Sequence, residues 1–99
     1  MKTIYKYDLP IGSHGCYIEH DIPDPACHWL DIGLDLEGKP VVWCEVDTDE
    51  DSIRWAIYCQ WTGMSIAGPS EFGLYLGTMK FEYKVGLTLI YHFYAYPIS

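Results

Sequence analysis

Polar and apolar residues alternate along most of this chain with a period of two, the pattern of strands buried on one face. Thr3 to Leu9 places Thr3, Tyr5, Tyr7 and Leu9 on one face and Ile4, Lys6 and Asp8 on the other. Pro10 and Gly12 end that run, because proline brings no N–H to a ladder. Gly15 to Ile22 repeats the pattern, with Cys16, Ile18, His20 and Ile22 opposite Tyr17, Glu19 and Asp21. Asp21-Ile22-Pro23-Asp24-Pro25 is a loop, since each proline fixes its own φ and restricts the residue before it. Ala26 to Leu30 has room for one helical turn, but an extended segment from His28 to Leu36 fits better, with Leu30, Ile32, Leu34 and Leu36 inward.

Glu37-Gly38-Lys39 then reads as a tight turn. The next stretch, Pro40 to Trp61, is expected to be a hairpin of two long strands, Val41–Asp47 and Ile53–Trp61, joined by the acidic tip Asp47-Thr48-Asp49-Glu50-Asp51. Ile53, Trp55, Ile57, Cys59 and Trp61 share one face of the return strand. Both faces of the pair are largely apolar, which places it centrally and makes Trp43, Cys44, Trp55 and Cys59 core residues. Thr62 to Gly73 is irregular and rich in Gly, Ser and Pro. Leu74 to Phe81 is a further strand, Glu82 to Gly86 a turn, and Leu87 to Tyr96 the last strand. The expected fold is therefore all-β, about seven mostly antiparallel strands in a small sandwich or barrel, with residues 1–99 as a single domain.

The composition agrees. Ninety-nine residues, about half of them apolar, suffice for one core without disulfide staples. Four Trp, nine Tyr and three Phe favour strands over helices. Fourteen acidic residues against six basic ones give a net charge of −8. That field repels nucleic acid and anionic lipid, and it suits a partner whose own surface is basic. The first residues show no apolar leader with a small-residue cleavage site, and the run Val85 to Tyr96 is too short and too interrupted to span a bilayer. A cytoplasmic location is expected, where Cys16, Cys27, Cys44 and Cys59 would be reduced thiols.

Four kinds of chemistry deserve a test against the residues. Cys16, His20, Cys27 and His28 are the right ligand types for zinc, but the usual C-x₂₋₄-C knuckle is missing, and adjacent Cys27 and His28 face opposite ways if extended. Asp47-x-Asp49-x-Asp51 begins like a calcium loop and then fails, with Ser52 in place of the turn glycine and Tyr58 in place of the bidentate Glu. No nucleophile elbow, phosphate-cradling glycine loop or H-E-x-x-H stretch occurs, so no enzyme and no cofactor are expected. The aromatics Trp29, Trp43, Trp55 and Trp61, with the tyrosines, would serve a stacking pocket, for which only Arg54, Lys6, Lys80 and Lys84 are placed to supply positive charge.

Several segments taken together carry a resemblance. They are the opening Met1 to Tyr7 with Leu9-Pro10, then Gly38-x-Pro40-Val41-Val42-Trp43, Val46-Asp47, Trp61-Thr62-Gly63, Tyr75-Leu76-Gly77-Thr78, and the closing apolar run with His92-Phe93. In that order and spacing they resemble a family of short phage and prophage proteins with no assigned activity. The segments are strand and turn residues, not a catalytic signature. The family commonly has threonine-glycine-histidine where this chain has Thr62-Gly63-Met64, so no role for that histidine carries over, and this chain continues past the usual end with Tyr94 to Ser99. The resemblance implies a viral origin and a small accessory role.

Size, acidity and the resemblance converge on one expectation: a non-catalytic phage protein, working in the host cytoplasm, that blocks a host antiviral-defence factor such as a CRISPR effector. Asp47, Asp49, Glu50 and Asp51, joined by Asp31, Asp35 and Glu37, would occupy a basic groove meant for nucleic acid. Its partner would be a host protein with a basic surface, with no direct nucleic acid and no membrane. Two other classes remain beside it: a sponge for a nucleotide-type immune signal in an aromatic pocket, and a virion structural or assembly protein, which would form a homo-oligomer.

Overall fold

A computed structural model describes residues 1–11, 17–61 and 73–98, and only the backbone of residues 83 and 84. Seven strands are present among them: β1 (Lys2–Asp8), β2 (Tyr17–Pro23), β3 (His28–Leu34), β4 (Pro40–Asp47), β5 (Ser52–Trp61), β6 (Leu74–Lys84) and β7 (Leu87–Pro97). They form two antiparallel sheets, one ordered β1-β4-β3 and the other β2-β5-β7-β6. Of the two expected architectures, this is the sandwich. Cys16 and the stretch 62–72 lie outside the described residues.

The chain does not make the hairpin that its pattern suggested for Pro40 to Trp61. β4 pairs with β1 and β3, whereas β5 pairs with β2 and β7, so the two strands lie in opposite sheets. Burial explains the choice. β5 is buried continuously from Trp55 to Gln60, and β4 hides Val41, Val42, Cys44 and Val46. Two strands with that much apolar surface cover more of it as the middle strands of two stacked layers than as neighbours in one. Val42, Cys44 and Val46 of β4 and Trp55, Ile57, Cys59, Phe93 and Ala95 of the other sheet form one cluster with Leu9, Ile22 and Tyr91. The acidic segment is therefore a crossing between layers, about 10 Å apart in such sandwiches, rather than the tip of a ribbon.

The second departure is in β3. Strict alternation put Leu30, Ile32, Leu34 and Leu36 inward, yet Leu30, Leu34 and Leu36 are exposed. A register shift against β4 between Trp29 and Asp31 inserts one residue. A bulge of this kind reverses the facing of everything before it, so Trp29 and Ile32 face the core together. The β6–β7 turn is also tighter than expected, since β6 runs on to Lys84 and only Val85 and Gly86 turn. β6 shifts register against β7 between Tyr75 and Gly77 and again between Glu82 and Lys84, and it packs against β3 across the sandwich.

Gly77 sits at that contact with φ +151°, and a Cβ there would lie 2.7 Å from Ile32 Cδ1. We expect Gly77→Ala to destabilise the protein by about 1–3 kcal/mol through overpacking, and the added change Ile32→Val to restore part of the loss. Gly38→Ala, at φ +79° with open space around it, should cost only about 1 kcal/mol. Urea denaturation midpoints of the four proteins check the order.

Candidate functional site

The end of the sandwich where β4 crosses to β5 is organised by a residue that strand patterning passes over. Asp24, between Pro23 and Pro25, holds φ +73°, a left-handed conformation that aspartate tolerates better than most side chains. Its Oδ1 accepts the Ala26 N–H at 2.9 Å, its Oδ2 accepts the Asp47 N–H at 3.2 Å, and its carbonyl accepts the Cys27 N–H at 2.9 Å. Its own N–H donates to the Asp51 carbonyl at 3.1 Å. One aspartate thus ties the β2–β3 turn to both ends of the β4–β5 crossing. The signal was available in Pro-Asp-Pro, a turn whose central side chain is suited to accepting nearby backbone N–H groups.

That tie gathers Asp24, Asp47, Asp49, Glu50 and Asp51 at one end. Asp47 is the anchored member. Its Oδ1 accepts the Asp49 N–H at 3.1 Å and pairs with the Met1 ammonium at 2.9 Å. The ammonium also pairs with Asp49, and the Met1 carbonyl receives the Thr48 N–H. The Met1 ammonium first, then the Asp49 amide, hold the Asp47 carboxyl below the usual carboxylate range. Asp49, Glu50 and Asp51 are exposed, Asp49 with 81% of its side chain open to solvent. Nearby Asp21 is engaged elsewhere, paired at 3.0 Å with Arg54, which also binds Glu19 at 2.9 Å.

The other expected partner-binding carboxylates do not join this end. Asp31 lies opposite Trp43 along the flank of the small sheet and accepts the Ile32 N–H at 2.8 Å. Asp35 and Glu37 belong to the β3–β4 turn, at the far end of β4, roughly 25 Å from the crossing at ~3.3 Å per residue. Asp35 is moreover a structural residue. Its side chain is 6% exposed, pairs with Lys6 at 3.0 Å, and accepts the N–H groups of Glu37 and Lys39 at 2.9 Å each. Those bonds, the Lys39 amide foremost, hold its carboxyl low. Glu37 is exposed beside Lys39.

The remaining candidates are dispersed. Trp29 and Trp55 meet edge to face between the sheets at 5.1 Å, Trp61 meets Tyr91 at 6.0 Å, and Trp43 covers Gly33 on the outer side of the small sheet. The four tryptophans therefore line no common pocket, and Trp43 is not the core residue that its strand pattern implied. Tyr58, Tyr94, Tyr96 and Tyr75 pack instead on the outer face of the larger sheet, with Tyr58 and Tyr94 stacked at 5.3 Å. The cations expected to serve a stacking pocket are apart too, Lys6 with Asp35 on one sheet and Arg54 with Glu19 and Asp21 on the other. His20 donates from Nε2 to the Asp8 carbonyl at 3.0 Å and leans on Tyr7, while Cys27 packs against the core cluster that contains Cys44. Among the described residues no three His, Cys, Asp or Glu side chains form a group able to hold a metal ion, and no helix is long and apolar enough to cross a membrane.

A family model described as a domain of unknown function (DUF7352) matches residues 1–98. No curated protein and no solved structure matches the chain.

Asp35 and Asp47 both have folded-state pKa values below those of the unfolded chain, about 3.9. The stability they supply is complete above that value and is lost as pH falls through the lower folded values. Asp35→Asn should therefore lower the urea midpoint at pH 7. The gap to the parent protein should begin to narrow as pH falls through the unfolded carboxylate value, about 3.9, and close below the lower folded value. Equal midpoints at pH 7 would contradict the structural role of Asp35.

Proposed function

We propose that this chain, which belongs to the family of the domain of unknown function DUF7352, is a small acidic phage protein that inhibits a host antiviral-defence factor. It binds that factor's basic, nucleic-acid-binding surface and keeps the nucleic acid out. A CRISPR effector, with its positively charged channel, is the kind of target meant. The observation that carries this reading is the acidic end: Asp24, Asp47, Asp49, Glu50 and Asp51, with Asp24 bonded to the backbone on both sides of the crossing.

The geometry supports the reading in three ways. Asp49, Glu50 and Asp51 are exposed and side by side, on a crossing fixed by strand ends rather than on a long loop. Binding therefore orders little additional backbone, which keeps its entropic cost small. The net charge of −8 adds long-range attraction toward a basic groove and repels the nucleic acid that competes for it. No bond is made or broken in this mechanism: inhibition is stoichiometric and reversible, and it weakens as salt screens the exposed pairs. Asp31, Asp35 and Glu37 take no part, because they lie along the flank or at the opposite end.

The experiment is a pull-down from host extract at low and high salt, followed by titration of the captured protein. The triple change Asp49→Asn, Glu50→Gln and Asp51→Asn should weaken binding about tenfold at low salt, since exposed pairs are individually modest. It should also flatten the salt dependence and leave the thermal midpoint close to that of the parent. Asp31→Asn should change binding little. Undiminished inhibition by the triple variant would overturn the mechanism.

A further inference from the structure

Outside the acidic end, the most unusual chemistry is a pair of thiols on the inner side of the small sheet. Trp29 of β3 lies opposite Cys44 of β4. Cys27 precedes Trp29 by two residues and packs against the core cluster that contains Cys44. Its position is fixed from the other side by its N–H bond to the Asp24 carbonyl at 2.9 Å. Neither sulfur is in a disulfide. Cys44 is fully buried, while Cys27 is only partly buried, so of the two it is the one nearer to solvent.

We infer that Cys27 and Cys44 are a redox site, a nucleophilic thiol and its resolving partner, that closes to an intramolecular disulfide when the protein meets a low-molecular-weight disulfide such as oxidised glutathione. The Cys27 thiolate attacks one sulfur of the reagent, making a mixed disulfide and expelling one glutathione thiolate. Cys44 attacks the Cys27 sulfur, and its proton passes to the departing sulfur, so the second glutathione leaves as a thiol. Two protein thiols are oxidised, one glutathione disulfide is reduced to two thiols, and the electrons balance.

The two cysteines differ in the direction this sequence of steps requires. Cys27 is held below the ordinary thiol range, chiefly by a hydrogen bond from Cys44, so it is the member that ionises and attacks. Cys44 is pushed up, first by its bond to Cys27 and then by burial, so it stays protonated while Cys27 carries the charge. Once Cys27 is capped as a mixed disulfide, the first of those causes disappears and Cys44 is released to attack. Tyr7, whose buried hydroxyl has no hydrogen-bond partner among the described residues, is near enough to both sulfurs to feel their charge. Its O–H is available to stabilise a thiolate there.

The bond would tie the β2–β3 turn to the middle strand of the small sheet. That turn carries Asp24, so oxidation would stiffen the end of the sandwich where the acidic crossing lies. The inference stands whether or not that end binds a host protein.

The test equilibrates the whole protein in glutathione buffers of stepped oxidised-to-reduced ratio, quenches with an alkylating reagent and digests before aspartate. Cleavage there separates Cys27, in residues 24–30, from Cys44, in residues 35–46, and both from Cys16 and Cys59. The expected product is the 24–30/35–46 linked peptide, appearing with a single midpoint and reversed by dithiothreitol. The thermal midpoint should rise by about 5–15 °C, for a closed loop of this length. Cys44→Ala should instead accumulate glutathione on Cys27. Cys27→Ser, at the less buried position, keeps the test open if the Cys44 variant does not fold, and it should leave Cys44 unmodified under the same buffers. Absence of the linked peptide at every ratio, or linkage of Cys27 to Cys16 or Cys59 instead, would overturn the inference.

Discussion

Everything in this fold follows from β4 and β5 burying their inner faces in one core from opposite sides. Val42, Cys44 and Val46 come from one sheet, and Trp55, Ile57 and Cys59 from the other. The two strands are separated by four residues, 48–51, so the chain must change layers within a very short segment. A segment that crosses between sheets at the end of a sandwich has no core to contribute to, and polar residues fit there without loss. The density of carboxylates at Asp47 to Asp51 is thus permitted by topology before it is of use to any partner.

Such a crossing needs its backbone groups satisfied and its direction fixed. Asp24 does both, reaching the Asp47 amide with its side chain and the Asp51 carbonyl with its own N–H. The left-handed backbone at Asp24 costs energy that these bonds offset, and the flanking prolines limit how far the unfolded chain can stray from the turn. The same turn delivers Cys27 to Cys44. The acidic end and the dithiol are consequently neighbours through one structural residue, although one is an exposed electrostatic surface and the other a half-buried chemical pair.

Charge alone is a poor guide to which carboxylates face a partner. Asp35 and Asp49 look equivalent as acidic residues between strands, yet one is nearly buried and bonded three times, and the other is largely open to solvent. The difference lies in neighbouring donors. Asp35 closes a turn around Gly38, with Lys6 of β1 beside it, and its charge is consumed there. Among the described residues the Asp49 carboxylate pairs only with the Met1 ammonium.

The sequence by itself determined that there are seven strands and roughly where they lie, because alternation records which face of a strand meets water, a local property. It missed ends and facings where pairing decides them, since β2 takes in Pro23, β3 stops at Leu34 and β6 runs on to Lys84. It also marked the acidic crossing and, within it, Asp47, Asp49, Glu50 and Asp51. Only the tertiary structure decided which strands pair. An apolar β4 beside an apolar β5 satisfies alternation equally well as a hairpin or as two stacked layers, and the choice rests on how much surface the other five strands cover. Tertiary structure likewise placed the bulge that turned Trp29 inward and left Leu30 exposed. It sent Asp35 and Glu37 to the far end of β4, and it brought Cys27 to Cys44 and Asp24 to Asp47. Those are contacts between residues 17 and 23 positions apart, and no local pattern of polarity encodes a distance across a sheet.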